Sequence, residues 1–455
     1  MSALAAIQLA GGESAATGTP FAARLMGLVG IAVMIGIAWL LSNNRTRVPW
    51  RLVATGVGLQ AVLGLVVLKT GVGRALFNGA NIVFTRLLTF TEEGARFIFG
   101  NLVRNNVPVG DPTGTPADMS PLSELGLWAS TGAYFAFSVL PTIIFFSSLM
   151  SVLYYLGIMQ RIVQGMAWVF QRLLGTSGAE TLSATGNIFV GQTEAPLLIK
   201  PFVGTMTVSE LNTVMVGGFA TIAGGVMAAY VGILSPYFPD IAGHLLTASV
   251  MNAPAGLLIS KILVPEIGVP ATRGKVKVEI AARDANVIEA AAAGAGQGLQ
   301  LALNVGAMLL AFIALIALVN ALLGAAGGVV GVDGLSLERV FGWALAPIAW
   351  LMGVPWGDAG AVGSLIGVKV SVNEFVAYLQ LAGIMGGDGL SLRAEVIATY
   401  ALLGFANFSS IAIQIGGIGG LAPERRGDLA RLGLKAMIGG NLAAFMSASL
   451  AGMLL

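Results

Sequence analysis

The sequence predicts an all-α integral membrane protein: about eight transmembrane helices, two re-entrant helical hairpins, interfacial helices and an inverted, duplicated unit. Three observations carry that prediction. Of 455 residues, 56% are hydrophobic and 10% charged, with mean hydropathy +0.86, whereas soluble domains carry about 25% charged residues. Two glutamates stand in otherwise apolar sequence, Glu194 in Asn187-Ile-Phe-Val-Gly-Gln-Thr-Glu-Ala-Pro196 and Glu374 in Val372-Asn-Glu-Phe-Val-Ala-Tyr378. Each precedes a long hydrophobic segment containing one phrase, Gly218-Phe-Ala-Thr221 in the first and Gly404-Phe-Ala-Asn407 in the second. An ionisable group at membrane depth costs roughly 2.5–3.5 kcal/mol on insertion scales and is retained where it handles a substrate, an ion or a proton. Two such groups in matching halves indicate a transporter built from a repeat. The net charge of +2 argues against a nucleic-acid binder, and the absence of cysteine excludes disulfides and thiolate metal sites.

Residues 1–20 lack a basic n-region and do not read as a cleaved signal peptide, so the first span is expected to direct insertion. Residues 25–42 are uncharged and long enough for a ~30 Å hydrocarbon core. Arg45, Arg47 and Arg51 follow, which places the amino terminus outside, and a second span covers 52–68. In 73–104, Arg74, Arg86, Glu92, Glu93, Arg96 and Arg104 interrupt apolar residues such as Leu76, Phe77, Leu87 and Phe97, the pattern of an interfacial amphipathic helix. An external loop is expected over 105–126 and a span over 128–158. Segment 176–204 is too polar and Gly-rich for a simple span and reads as a re-entrant hairpin, which lipid permits only inside protein.

Helices are expected at 208–235 and 241–264, then a basic linker, a small-residue helix at 285–298 and a span at 300–325. Segment 337–384, with Pro347, Pro355, Gly357, Gly360, Gly363 and Gly367 ahead of Asn373-Glu374, repeats the hairpin signature. A helix at 392–416 and a last one ending at Leu455 complete the chain. The basic loops at 43–51, 159–172, 265–283 and 424–435 share one side only if the two polar segments are hairpins.

Gln192, Thr193, Glu194, Glu374, Asn407 and Ser410 are hydrogen-bonding groups without a metal-ligand cluster or a nucleophile–base pair. They suit a neutral small molecule rich in hydroxyls and amides. Helix interruptions near Thr221 and near Asn407 expose termini and carbonyls that suit ligand and cation binding. Plainer readings exist. Lys200 and Lys369 are candidate counter-charges for the glutamates, Thr221 can bond its own preceding carbonyl, and His244 fits an interfacial position.

With these residues in view, the chain resembles the concentrative nucleoside transporter family. Gly191-Gln-Thr-Glu194, Asn373-Glu-Phe-Val-Ala377 and Gly404-Phe-Ala-Asn-Phe-Ser-Ser410 stand in the family's order, over about 125–455. The resemblance implies cation-coupled nucleoside import by alternating access, in a homotrimer in the plasma membrane (the inner membrane of a bacterium), with no cofactor besides the coupling sodium ion. Scaffold would occupy 1–175 and 299–330, and the transport domain 176–298 and 331–455. Gln192, Thr193 and Glu194 would bind the nucleobase with Val226 lining that side, Phe405 would pack near the base, and Glu374, Asn407 and Ser410 would bind the ribose. The sodium positions read Asn187, Val190, Thr221 and Ile222, with Thr221 where Ser is common; the oxygen is kept. Some bacterial relatives use protons, so a proton-coupled symporter is the alternative. A membrane-embedded enzyme using both glutamates as acid and base, or a channel, are the rivals from other classes.

Overall fold

The computed structural model describes residues 21–104, 106–108, 128–130, 135–274, 285–329, 331–387 and 389–455, and these are almost entirely helical. Helices α1 (Phe21–Leu40) and α2 (Trp50–Lys69) flank the turn that carries Arg45 and Arg47. Helix α3 (Gly71–Phe99) starts where the Thr70 hydroxyl accepts from the Gly73 amide at 3.0 Å. It is the helix expected over 73–104, and its Phe77 ring packs edge-on against His244. Most of the loop expected over 105–126 lies outside the described residues. Asn106–Pro108 (β1) pairs antiparallel with Trp128–Ser130 (β2), so residues 128–130 are taken up by that pairing. The span expected from 128 therefore begins later, in a π-helical turn over Phe135–Val139 that leads into α4 (Leu140–Tyr155).

The basic stretch 159–172, expected as a loop, is helix α5 (Ile158–Leu174). Met159, Val163, Ala167, Phe170 and Leu174 are buried along one stripe, while Arg161 and Arg172 lie on the open face. The first hairpin is present as expected. Its descending arm α6 (Gly178–Gly186) opens on a capping box, with the Ser177 amide donating to Glu180 Oε1 at 2.8 Å. Nine residues make about 14 Å of helix, half of what a crossing needs. The chain turns through 187–194 and returns as a 3-10 segment, Ala195–Ile199, and one helical turn, Lys200–Val203. Every residue of α6 is buried, so this half-length arm is enclosed by protein, as a re-entrant segment must be.

Helices α7 (Val208–Ala220) and α8 (Gly224–Leu234) form one span broken at 221–223, and α9 (Ile241–Leu263) follows. The expected helices at 285–298 and 300–325 are a single 43-residue helix, α10 (Val287–Val329). No proline divides it, and its glycines serve packing: a Cβ at Gly298 would sit 2.7 Å from Ile144 Cα and one at Gly294 2.6 Å from Ser151 Cβ, both on α4.

The second polar segment differs from expectation in one respect. Residues 337–384 form three helices, α11 (Leu337–Leu351), α12 (Trp356–Ser371) and α13 (Glu374–Met385). The chain bends by 116° between α11 and α12, around Gly353 at φ +98°. The re-entrant turn is the next one, at 372–373, so α12 and α13 make the hairpin and α11 precedes it as α5 precedes the first. A second broken span, α14 (Leu392–Leu402) and α15 (Phe408–Leu421), and the long α16 (Arg426–Leu454) complete the repeat. Asn252 on α9 donates to the Ala220 carbonyl at 2.7 Å, and Asn441 on α16 donates to the Ala406 carbonyl at 3.0 Å. Each half thus anchors its helix break to its last helix with an asparagine. The shared Gly-Phe-Ala phrase is not placed equivalently: 218–220 end α7, whereas 404–406 form the second break itself.

Among the described residues, six helical segments are long and apolar enough to cross a membrane; α1, whose apolar stretch is Arg24–Leu40, and the discontinuous α14–α15 pair fall short as continuous helices. They divide by burial. The apolar stretches of α7–α8, α9 and the last helix are 89%, 89% and 83% buried in protein, against 22%, 22% and 11% for α2, α4 and α10. The inner group surrounds the hairpins, and the outer group faces lipid or neighbours.

Candidate functional site

The site grows from four places where helices stop inside the protein. At the start of α15, Asn407 Oδ1 accepts from the Ser410 amide at 2.9 Å and from the Ser409 hydroxyl at 2.8 Å, the behaviour of an N-cap. That fixes the amide so that its Nδ2 donates to Glu374 Oε2 at 2.9 Å. Glu374 is the first residue of α13, capped in turn by Asn373, whose Oδ1 accepts from the Val376 amide at 2.9 Å. A carboxylate at a helix N-terminus is favoured by the unpaired amides and the dipole. On its other side, the hydroxyl of Tyr230 on α8 donates to Glu374 Oε1 at 2.9 Å. Both carboxylate oxygens are therefore oriented, in a side chain that is 5% exposed.

The network continues into the first hairpin. Gln192 Nε2 donates to Ser410 Oγ at 3.1 Å, and Gln192 Oε1 accepts from Gln414 Nε2 at 3.0 Å; Gln414 also donates to the Met215 carbonyl at 3.1 Å. One run of polar groups thus links Gln192, Ser410, Asn407, Glu374 and Tyr230 across both repeats. Close approach is permitted by two glycines: a Cβ at Gly218 would lie 3.0 Å from Gln192 Cβ, and one at Gly417 would lie 2.7 Å from Thr193 Cγ2.

Glu194 closes the tight turn at 191–194, with its amide donating to the Gly191 carbonyl at 3.1 Å. Its carboxylate folds back over Gly191, where a Cβ would stand 2.1 Å from Oε2, and Thr193 Oγ1 donates to Oε1 at 3.1 Å. Unlike Glu374, this side chain is exposed. Among the described residues no ion pair joins either glutamate to a cation. Lys200 is exposed, and Lys369 bonds to the Ala401 and Leu403 carbonyls instead. Simple counter-charge pairing with these lysines is not what the structure shows. Val226 is buried in the first turn of α8, and Phe405 is partly buried in the second break, packed on the main core.

The cation candidates lie at the end of α6 and around the first helix break. Asn187 ends α6; its Nδ2 donates to the Ser183 carbonyl at 3.1 Å, while its buried Oδ1 has no hydrogen-bond partner. Its amide nitrogen lies 3.7 Å from where a Cβ at Gly217 would stand, against the end of α7. Thr221 caps that end and donates to the Gly217 carbonyl at 2.9 Å, as its plain reading expects, which leaves its oxygen lone pairs free to coordinate. Val190 and Ile222 are in irregular backbone beside these two residues. Asn187 Oδ1 shares its unpartnered state with other buried amide oxygens, those of Asn212, Asn252, Gln414 and Asn441 among them, and with Thr221 Oγ1 it is a hard oxygen of the kind that suits a small cation.

Sequence reading missed Tyr230 and Gln414. Gln414 carries a usable signal, since it lies one helical turn beyond Ser410 on the same face. Tyr230 carries none, being 144 residues from the glutamate it bonds. His244, expected at an interfacial position, is within the first turn of α9, with the rings of Phe77, Phe238 and Tyr400 around it. A buried ion pair was also overlooked: Lys261 Nζ lies 2.8 Å from Glu180 Oε2, a charge contact outside hydrogen-bond alignment, and 3.3 Å from Glu266.

Two hairpins that stop inside the protein, paired with two broken spans around one polar network, define a secondary transporter built from a repeat. Comparison with known proteins gives the family. The chain matches the descriptions "Na+ dependent nucleoside transporter N-terminus" over residues 29–102, "Nucleoside recognition" over 136–237 and "Na+ dependent nucleoside transporter C-terminus" over 244–452. It is 46% identical over 430 residues to an uncharacterised transporter, YutK, of Bacillus subtilis (94% of this chain, 99% of that protein). It is 42% identical to the nucleoside permease NupC of Helicobacter pylori (94% and 97%) and 40% identical to sodium/nucleoside cotransporter 1 of Mus musculus (95% and 64%). Among solved structures, it resembles CNTnw in an inward-facing substrate-bound state, with 43% identity, TM-score 0.82 and coverage of 95% and 98%. An outward-facing variant of CNTnw gives TM-score 0.85 at 43% identity, covering 96% and 98%. The chain therefore belongs to the concentrative, Na+-dependent nucleoside transporter family, as a multi-pass plasma-membrane protein and not an enzyme.

Proposed function

We propose that this protein imports nucleosides by sodium-coupled symport with alternating access. The observation that carries the reading is the polar run from Gln192 to Tyr230, which joins both hairpins and the second break around a buried carboxylate. Tyr230 and Asn407 leave lone pairs on each oxygen of Glu374, enough to accept two neighbouring ribose hydroxyls. Ser410 and Asn407 border the same place. Glu194, with Thr193 and Gln192, offers acceptors and donors to the edge of a base, and Val226 and Phe405 supply apolar surface for its ring.

Sodium is assigned to Asn187, Val190, Thr221 and Ile222, through two side-chain oxygens and two carbonyls, supported by the hard side-chain oxygens of Asn187 and Thr221. The ion and the base-binding residues share the turn 187–194. An ion that orders this turn raises nucleoside affinity, and linkage requires nucleoside to raise sodium affinity by the same factor. We take the active form to be a homotrimer, the assembly that the family resemblance implies.

The test is uptake of labelled uridine and adenosine into proteoliposomes under sodium, choline or a pH gradient. Sodium-driven accumulation supports the reading, and accumulation in choline driven by protons alone turns it to the proton-coupled alternative. Glu194→Gln and Glu374→Gln are expected to abolish uptake; normal uptake in both removes the site. Thr221→Val, which keeps shape and deletes one oxygen, is expected to raise the half-saturating sodium concentration about tenfold, the equivalent of one lost ligand.

A further inference from the structure

Lys369 has no part in the mechanism above, yet it is fully buried (0% exposed) on the descending arm of the second hairpin. An ammonium at that depth is expensive and calls for a task. Its Nζ donates to the Ala401 carbonyl at 2.9 Å and the Leu403 carbonyl at 3.3 Å, and it lies 5.9 Å from the centre of the Phe445 ring. Those carbonyls end α14, where the chain leaves the helix and the last oxygens have no helical donors. They also carry the negative end of the helix dipole.

The first half has the same layout. Its descending arm ends at Asn187, and the side chain lies against the end of α7, where Thr221 caps the break. Aligned on the two glutamates, Lys369 stands five residues before Glu374 and Asn187 seven before Glu194, a difference of two positions. In one half a hairpin brings neutral oxygens to a helix C-terminus, and in the other a hairpin brings a positive charge.

We infer that the Lys369 ammonium is a tethered cation, filling in the second repeat the place that the mobile coupling ion takes in the first. The inference rests on the sodium reading of Asn187 and Thr221. It accounts for an asymmetry between the halves. At the second break Glu374 and Asn407 are bonded to each other and Lys369 to the helix end, whereas in the first hairpin Glu194 lies open and Asn187 brings only a neutral amide to its helix end. One half is a fixed floor for the substrate and the other responds to the ion.

The test compares sodium-dependent thermal stabilisation and uptake in the wild type, Lys369→Gln, Lys369→Met and Lys369→Arg. In Lys369→Gln an oxygen replaces the charge. Uptake at low sodium is expected to fall about tenfold or more, to recover at molar sodium, and to rise with sodium along a steeper, two-site curve. Lys369→Met, which supplies no oxygen, should not recover, and Lys369→Arg should keep the single-site curve. An unchanged single-site curve in Lys369→Gln overturns the inference, as does a Lys369→Gln protein that cannot be recovered folded even in molar sodium. A wild type indifferent to sodium sinks the sodium reading itself. A sodium-dependent wild type beside an unaltered Lys369→Gln sinks only the tethered cation.

Discussion

At the scale of residues, Glu374 is the best-defined group in the site, because its neighbours orient both of its oxygens. Hydrogen bonds to charged groups contribute about 1.5–3 kcal/mol. Tyr230→Phe keeps the ring contacts with Phe375 and Tyr378 and removes only the donor. It should therefore raise the KM for nucleosides about tenfold or more, with little loss of folded protein; a KM unchanged from wild type would mean that the hydroxyl does not hold the carboxylate for substrate. The glutamates, Gln192, Asn407 and Ser410 were legible in the sequence, since a polar group in apolar surroundings stands out locally. Lys369 was legible as a charge in apolar sequence but not in its role, and Tyr230 carried no local signal. Their partners lie 144 residues away for Tyr230, and 32 and 34 away for Lys369.

Among elements, the two broken spans share an asparagine anchor and differ in a further device. The first break is held by Thr221 and Asn252, and the second needs Gly404. At φ +112° this residue is in a conformation that other residues adopt only with strain, and a Cβ would meet the Phe219 carbonyl oxygen at 2.5 Å. Such backbone strain costs of order 1–3 kcal/mol before the clash is counted. Gly404→Ala should lower the melting temperature of the detergent-purified protein clearly, while Gly416→Ala, whose new methyl meets nothing within 4 Å, should not. Equal effects of the two changes would show that the break tolerates a side chain. The hairpin base has its own tie, the buried Glu180–Lys261 pair. Removing one partner of a buried pair typically costs about 3–5 kcal/mol, so Glu180→Gln should destabilise the protein towards the lower end of that range, since Glu266 still faces the lysine. Melting curves decide this. The positions of the hairpins were readable from composition, but the true second turn, at 372–373, was obscured by the Pro- and Gly-rich bend around Gly353 that resembles one.

The whole molecule divides into a buried inner group and a thinly covered outer group of helices. If the inner group moves as the transport unit, it must slide where α8 meets α4. A Cβ at Gly225 would lie 3.7 Å from Phe146 Cβ, within the range a disulfide needs. The chain contains no cysteine, so Phe146→Cys with Gly225→Cys can be tested without removing others. Oxidation should arrest nucleoside exchange and reduction restore it. Full exchange by the crosslinked protein would show that this contact does not part during transport.

The class of protein was settled by the sequence alone, because the free energy of placing a side chain in lipid or protein belongs to that residue and its near neighbours. For the same reason the hairpins, the helix interruptions and most of the buried polar groups could be read from Glu194, Glu374 and the phrases around them. What only the tertiary structure decided is which of these groups meet. That Gln192 reaches Ser410, that Tyr230 and Asn407 share one carboxylate, and that Lys369 bonds to the carbonyls at a helix end are consequences of packing between distant segments. No local pattern records such pairings, because they arise only when helices far apart in the chain are buried against each other.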